Sequence, residues 1–205
     1  AARRLARQLG IAFLDTGSTY RAATLNVMRR NLAWTDTDAL ARATANADIQ
    51  LNVDGDTLCV RLDGEDVSDA IRDPEVTRHV HHLASQPGVR DVLVDLQRRI
   101  GGQLGSFVAE GRDQGSVVFP HADVKFFLDA DIRIRAQRRF DELTAAGKPV
   151  DFDALLDEIT QRDDADRNRP VAPLIIPEGA ITIDTSGKDI AQVQAELLSY
   201  VEDAS

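Results

Sequence analysis

The stretch Phe107-Val-Ala-Glu-Gly-Arg-Asp-Gln-Gly115 decides the fold class of this chain. An apolar run, Phe107–Ala109, leads at once into a turn in which two glycines bracket an arginine and an aspartate. Apolar strands at Val124–Leu128 and Ile181–Asp184 are likewise followed by a turn and a helical pattern. Buried strands joined by helical crossovers indicate a parallel sheet covered by helices on both faces. We therefore predict an α/β fold.

The flanking sequence predicts the remaining elements. Alternating residues on either side of Asp54-Gly55 indicate a β-hairpin. A strand is predicted at Ile11–Asp15. Helices are predicted at 1–10, with Gly10 as the stop, after Thr16-Gly17-Ser18, and at Asp36–Ala47. Helical sequence also runs from a tight turn at Asp63–Asp66 to about Ser85, and the last two helices lie before Gly147 and at Asp189–Val201. Between these, a helix is predicted from Pro87 to Gly101-Gly102, with an apolar stripe of Val89, Val92, Leu93, Leu96 and Ile100.

Composition narrows the possible partners and location. The chain has 205 residues, a net charge of −10 and one cysteine, Cys59. A single cysteine excludes an internal disulfide and fits a reducing cytoplasm, and no apolar run is long enough to predict a membrane span. The acidic charge argues against nucleic acid polymers and anionic membranes. Arginines concentrated at 133–139 and 162–169 suit a small anion such as a nucleotide.

Three polar clusters are predicted to lie at the carboxyl ends of strands, where parallel α/β sheets bind ligands. They are Asp15-Thr16-Gly17 with Tyr20-Arg21, Gly111–Gly115, and Asp129-Ala130-Asp131. The glycines of the second cluster let the backbone turn tightly and present Arg112 and Asp113 to a ligand. The alternative is a polar turn with a local ion pair.

A charged run, Arg162-Asp-Asp-Ala-Asp-Arg-Asn-Arg-Pro170, is a further candidate site. At about 100° per residue on a helix, Arg162, Asp166 and Arg169 share one stripe. Two guanidinium groups beside one carboxylate would suit a phosphate and a pair of sugar hydroxyls. The alternative is a solvated helix crossed by ion pairs.

Several blocks of this sequence together resemble bacterial cytidylate kinases. Their order and spacing match that family from residue 1 to about residue 200, and the combination separates the chain from adenylate, guanylate and thymidylate kinases. The blocks are Leu14–Arg21, Gly64–Ser68 with Ile71-Arg72, Ala109–Pro120 followed by Val124–Ala130, and Arg162–Leu174.

This resemblance implies a P-loop NTPase-like, three-layer fold and transfer of a phosphoryl group from ATP to CMP or dCMP. It implies Mg²⁺ as the cofactor, supplied with ATP, and a monomer. A CMP-binding module without catalysis, or a kinase for another nucleoside monophosphate, is the alternative. The implied domains are a core at 1–35, 103–147 and 178–205, a monophosphate-binding insert at 36–102, and a lid at 148–177.

The resemblance also implies roles for the acceptor-side residues. Arg21 and Arg112 match arginines that hold the acceptor phosphate, and Thr16, Tyr20 and Gly111 line the same pocket. Asp113 matches the residue that accepts a hydrogen bond from the cytosine amino group. Arg90 matches the residue that reaches the O2/N3 side of the ring.

For the lid and the donor, Asp166 matches a carboxylate that binds the ribose hydroxyls. Arg162 and Arg169 match arginines that clamp phosphate as the lid closes, and these two with Arg112 are the candidate catalytic residues. Arg135, Arg138 and Arg139 match arginines beside ATP, with an exposed basic helix face as the alternative for at least one of them. No protein-held metal site is predicted.

The sequence departs from the family in two places. Family members carry a Walker A loop, Gly-x-x-x-x-Gly-Lys-Ser/Thr, before the helix that opens this chain, and neither Gly147-Lys148 nor Gly187-Lys188 matches it. We expect that loop upstream of Ala1 in a longer form, and do not expect catalysis from these 205 residues alone. His81 stands where relatives often carry a small hydroxyl residue. The group His79, His81 and His82 is interpreted as a helical cluster flanking the pocket, in preference to a metal site.

Overall fold

The computed structural model of the chain describes residues 1–54 and 57–203. Contacts divide it into two units, Ala1–Phe119 and Pro120–Ser205. The first contains α1 (Ala2–Leu9), β1 (Ala12–Asp15), α2 (Gly17–Arg29), α3 (Thr37–Ala45), β2 (Ile49–Asp54), β3 (Thr57–Leu62), β4 (Glu65–Asp66), a 3₁₀ turn (Ala70–Arg72), α4 (Pro74–Ala84), α5 (Pro87–Leu104), β5 (Phe107–Glu110) and a π-helical turn (Gln114–Val118).

Strands β1 and β5 form a parallel pair in which Asp15 lies opposite Glu110. The turns that follow these two strands therefore begin at the same edge of the pair. Helix α1 precedes β1 and ends, as predicted, at Gly10, which adopts a left-handed φ of 67°. The N–H of Ile11 donates to the carbonyl of Ala6 at 3.0 Å, so the chain turns directly from the helix into the strand.

The predicted hairpin is confirmed by the antiparallel pairing of β2 and β3, although Gly55 of its turn lies outside the described residues. A third strand, β4, was not predicted. Asp63 and Gly64 have φ values of 51° and 84°. Positive φ at two successive residues folds the chain back in register, so Glu65 pairs with Leu62. The helix expected directly after this turn begins only at Pro74.

Helix α5 is longer than predicted, because Gly101-Gly102 lies within it. A β-carbon at Gly101 would lie 2.9 Å from the rings of Phe107 and Phe119, so the glycine makes room for aromatic packing and does not stop the helix. The buried face of α5 also differs from the predicted apolar stripe. It includes Arg90 and Gln97, whereas Val92 and Leu96 are only half-buried.

The core of the first unit draws on β1, α2, α3, the β2–β3 hairpin, α4 and α5. The core residues least exposed to solvent include Leu14, Ala22, Ala23, Val27, Leu40, Val60, Leu83, Val89 and Leu93.

The second unit is built on another parallel strand pair, and its elements are β6 (Phe126–Asp129), α6 (Ile132–Ala145), α7 (Phe152–Asn168), β7 (Ile181–Asp184) and α8 (Ile190–Asp203). The β6–β7 pairing places Asp129 opposite Asp184. The expectation that β6 is a buried strand is wrong, since Leu128 is 42% exposed and β6 pairs, within the described residues, with β7 alone. Among the described residues, no helix is long and apolar enough to cross a membrane.

Candidate active site

The turns after β1 and β5 are joined by hydrogen bonds. Thr16, at the N-cap of α2, is buried, and its Oγ1 donates to the carbonyl of Glu110 at 2.8 Å. A β-carbon on Gly111 would lie 2.5 Å from that hydroxyl oxygen. The glycine therefore allows the backbone after β5 to approach the turn after β1.

A buried ion pair lies at the carboxyl end of β5. The Arg90 guanidinium donates from Nη2 to Oδ2 of Asp113, and the side chains of Arg90 and Asp113 are 3% and 7% exposed. Arg90 Nη1 also donates to the carbonyl of Ala84 at 3.2 Å. The Arg90 guanidinium carbon lies 5.8 Å from the centre of the Tyr20 ring. Thr16, Tyr20, Arg90, Gly111 and Asp113 together form what we call the strand-end site.

The two arginines predicted to bind the acceptor phosphate, Arg21 and Arg112, have different surroundings. Arg21 follows Tyr20 on α2, and its Nη1 donates to the hydroxyl of Thr77 on α4 at 2.6 Å. Arg112 is exposed, and its charge acts on Glu110. The pKa of the Glu110 carboxyl is nevertheless raised, first because the surrounding protein desolvates it and second because the Asp15 carboxylate lies near.

The residues predicted to act in a lid, Arg162, Asp166 and Arg169, lie towards or just beyond the C-terminal end of α7, in the second unit. Helix α7 ends at Asn168, so the expectation that Arg169 continues the helical stripe is wrong: its ψ of 140° is extended, as expected before a proline. Arg169 Nη1 is 3.9 Å from Asp166 Oδ1, and its Nε donates to the carbonyl of Ala172 at 2.5 Å. Arg162 is exposed on the helix.

The three arginines predicted to bind ATP differ in their surroundings. Arg135 Nη2 donates to Oδ2 of Asp163 on α7 at 2.5 Å, and this hydrogen bond is the main reason that the pKa of Arg135 is raised. Arg138 donates to the carbonyls of Thr185 and Lys188, at 2.6 and 3.1 Å, in the turn after β7. Arg139 is 55% exposed and pairs with Glu142 on its own helix. This agrees with the alternative that at least one of the three arginines belongs to an exposed basic helix face.

The three histidines of α4 stack around the single tryptophan. The Trp34 ring centre is 5.0 Å from those of His79 and His82, and His81 lies 3.9 Å from His82. The pKa of His82 is lowered, mainly by burial and further by its histidine neighbours. The rings of His79 and His82 stack on Trp34, whereas His81 and His82 are tilted by 38° to each other. In the described part of the chain, no group of three His, Cys, Asp or Glu side chains is arranged to hold a metal.

Two buried residues at these places were not predicted from the sequence. Gln97 lies on the same face of α5 as Arg90, and Asp163 lies on the same face of α7 as Leu155. Their helical spacing is the signal that could have located them. Gln97 follows Arg90 by seven residues, and Asp163 follows Leu155 by eight, so each falls on the buried face of its helix.

Comparison with known proteins identifies the family. The family model described as Cytidylate kinase matches residues 1–203. The chain belongs to the cytidylate kinase family. Curated cytidylate kinases from Aeromonas salmonicida (strain A449) and Rhodococcus opacus (strain B4) are each 43% identical to it, over 97% and 99% of this chain and 86% and 89% of their own lengths. That of Vibrio cholerae serotype O1 is 42% identical over 97% of this chain and 88% of its own.

Membership of the cytidylate kinase family confirms the resemblance noted in the sequence. It also confirms the class of protein, a nucleotide-binding kinase and thus a transferase. The parallel strand pairs with their helices agree with the predicted α/β class, and the family is one with a P-loop NTPase-like kinase fold.

Proposed function

We propose that the protein to which this chain belongs transfers the terminal phosphoryl group of ATP to CMP or dCMP. The observation that carries the proposal is the buried Arg90–Asp113 pair in a strand-end site, within a chain of this family. A carboxylate held in one orientation by a guanidinium that also lies over the Tyr20 ring is suited to reading the edge of a base.

Base selection follows from the chemistry of Asp113. Its Oδ2 accepts from Arg90, and its Oδ1 accepts from Nε2 of Gln114 at 3.4 Å. Because a carboxylate oxygen can accept two hydrogen bonds, Oδ1 can also accept one from the cytosine amino group. Uracil presents a carbonyl at that position, and two acceptors repel each other. A buried polar group left unpaired is what gives such sites their selectivity.

Phosphoryl transfer depends mainly on alignment and on positive charge around the transferred group. We propose that Arg21 and Arg112 hold the acceptor phosphate. Arg162 and Arg169 are proposed to reach the phosphoryl group as residues 148–177 close, with Asp166 binding the ribose hydroxyls. The core is assigned to residues 1–35, 103–147 and 178–205 and the monophosphate-binding insert to 36–102.

We propose ATP as the donor, bound near Arg135 and Arg138, and Mg²⁺ as part of the ATP complex. Mg²⁺ in such sites is held largely by substrate phosphates and water, with one or two carboxylates. It would neutralise charge on the phosphates, while the arginines of this chain orient them.

The proposal is tested by measuring nucleotide binding and phosphoryl transfer separately. Calorimetric titration should show binding of CMP and weaker or no binding of UMP, and a coupled assay with MgATP should show CDP formation by the full-length protein. CMP binding without transfer would favour the alternative of a binding module. No binding of CMP would contradict the proposal.

The selectivity is tested with Asp113→Asn, which should lower the CMP-over-UMP preference by about tenfold or more, since a charged acceptor becomes partly a donor. Asp95→Asn removes an exposed carboxylate from the same helix as Arg90 and serves as the matched control. An unchanged preference in Asp113→Asn would remove Asp113 from base reading.

The donor side is tested by comparing Arg138→Ala with Arg139→Ala. If the site lies where we propose, KM for ATP should rise in the first and change little in the second, because Arg139 is exposed and bound within its own helix. Equal effects of the two substitutions on KM for ATP would contradict the assignment.

We further propose that the protein is cytoplasmic and monomeric. The free thiol of Cys59 is consistent with a reducing cytoplasm. Light scattering measures the mass in solution and so tests the monomer.

A further inference from the structure

We infer that Gln97 is a positioning residue for the strand-end site, holding the turn after β1 in the place that lets Thr16 and Tyr20 meet the nucleotide. The inference rests on the proposed function and extends it to a side chain outside the pocket. Gln97 lies on α5 and is fully buried.

A continuous set of hydrogen bonds links Gln97 to the strand-end site. Gln97 Nε2 donates to Oγ1 of Thr19 at 2.8 Å, and that hydroxyl donates to the carbonyl of Thr16 at 2.7 Å. The Thr16 hydroxyl in turn donates to the carbonyl of Glu110. Thr16, Thr19 and Gln97 are each at most 2% exposed, so water does not compete for these bonds. The link therefore runs from α5 through the start of α2 to the end of β5.

The directions of these bonds fix the orientation of the Gln97 amide. Because the Thr19 hydroxyl hydrogen is used toward Thr16, Thr19 Oγ1 can only accept, and Gln97 must present its NH₂ group. This leaves Gln97 Oε1 buried without a hydrogen-bond partner among the described residues. A buried acceptor without a partner is destabilising. An apolar side chain would avoid that cost. The specific contribution of Gln97 is therefore the pair of hydrogen bonds that its Nε2 donates, to Thr19 Oγ1 and, at 3.5 Å, to the carbonyl of Thr16.

Helix α5 thus braces both turns of the site. Arg90 holds Asp113 in the turn after β5, and seven residues later Gln97 holds Thr19 and Thr16 in the turn after β1. Residues seven apart lie on the same face of a helix, two turns along its axis. One rigid helix therefore sets the position of the base-reading carboxylate relative to the turn that carries Thr16 and Tyr20.

The test uses Gln97→Met, which keeps the volume and removes both polar atoms. Thermal stability should stay the same or rise, because removing the unpartnered acceptor offsets the loss of the two hydrogen bonds that Nε2 donates. Backbone amides of residues 16–19 should exchange with deuterium about tenfold faster, and KM for CMP should rise about fivefold to tenfold with a smaller change in KM for ATP. Gln194→Met, at a buried glutamine of α8, is the matched control and should change neither the exchange at 16–19 nor KM for CMP.

A double variant separates positioning from packing. If Gln97 acts through Thr19, then Gln97→Met combined with Thr19→Val should raise KM for CMP no further than the stronger single variant. Additive effects, or wild-type exchange at 16–19 in Gln97→Met, would overturn the inference, as would a lower melting temperature with unchanged KM for CMP. If the wild-type protein failed to bind CMP, the proposed function would fall, whereas the amide exchange would still decide whether Gln97 positions the turn.

Discussion

Arg90 and Asp113 form an ion pair with almost no contact with solvent, joining α5 to the turn after β5. Removing one member of a buried pair leaves an uncompensated charge, which usually destabilises more than the pair itself stabilises. The pair is thus both a candidate base-reading device and a point on which folding of the first unit depends.

We predict that Asp113→Ala lowers the free energy of unfolding by about 3 kcal/mol, because it leaves the guanidinium of Arg90 buried and unpaired. The double variant Arg90→Leu with Asp113→Ala should recover part of the loss. Urea unfolding measures both. Glu65→Ala, which breaks an exposed pair with Arg29, is the control and should have a much smaller effect. A double variant no more stable than Asp113→Ala would contradict this account.

The close approach of Gly111 to Thr16 predicts opposite effects for two alanine substitutions. Gly111→Ala would place a β-carbon 2.5 Å from the Thr16 hydroxyl, whereas Gly102→Ala meets no atom within 4 Å. We expect Gly111→Ala to raise KM for CMP and lower the melting temperature. Gly102→Ala, within α5, should stabilise the protein by about 0.5 kcal/mol. Calorimetry and steady-state kinetics test both, and a harmless Gly111→Ala would mean that the turn has space to spare.

The raised pKa of Glu110 predicts a pH-dependent effect on stability. A carboxyl with a raised pKa binds its proton more tightly in the folded state, so its contribution to stability is lost as pH rises from about 4.5 through the folded pKa. Glu110→Gln should therefore raise the melting temperature at pH 7 and have little effect at pH 4.

The matched substitution for Glu110→Gln is Glu65→Gln. The Arg29 hydrogen bond lowers the pKa of Glu65, so this carboxyl stabilises the protein above its ordinary pKa and loses that contribution as pH falls. Melting curves between pH 4 and pH 8 should show the two variants shifting in opposite directions at neutral pH. A shift in the same direction would exclude the electrostatic explanation.

The lowered pKa of His82 predicts sensitivity to acid. Burial and the neighbouring histidines disfavour the charged form of this imidazole in the folded protein. Its contribution to stability is therefore complete above the ordinary histidine pKa of about 6.5 and is lost as pH falls below it. His82→Phe, which keeps a ring against Trp34, should flatten the fall in melting temperature between pH 7 and pH 5. The emission of Trp34, the sole tryptophan, should change with pH in the wild type and less so in the variant. Identical pH profiles for the wild type and His82→Phe would show that His82 does not cause the acid sensitivity.

Local features of the sequence were sufficient to predict much of the fold. The stop at Gly10 and the hairpin depend on residues near one another, and the placing of Thr16 and Asp113 at strand ends follows from the general rule for parallel sheets. Periodicity also located most helices, because the apolar face of a helix must be buried.

What could not be predicted depends on contacts between distant residues. The bond from Gln97 to Thr19 spans 78 positions. Gly101 stays helical because two phenylalanine rings pack against it, and the two-residue strand β4 exists only through its pairing with β3. The roles proposed for Arg90 and Asp113 came from the family resemblance, and their burial as a pair came only from the structure.

The spacing of Arg90 and Gln97 on α5 has a consequence for changes in chain length. One inserted or deleted residue between them would rotate one side chain about 100° relative to the other. Arg90 and Gln97 could then no longer contact Asp113 and Thr19 at the same time. Length variation should therefore be tolerated outside the segment that joins Arg90 to Gln97 and not within it. Exposed residues of that segment such as Asp95 can be exchanged, but the number of residues between Arg90 and Gln97 is fixed.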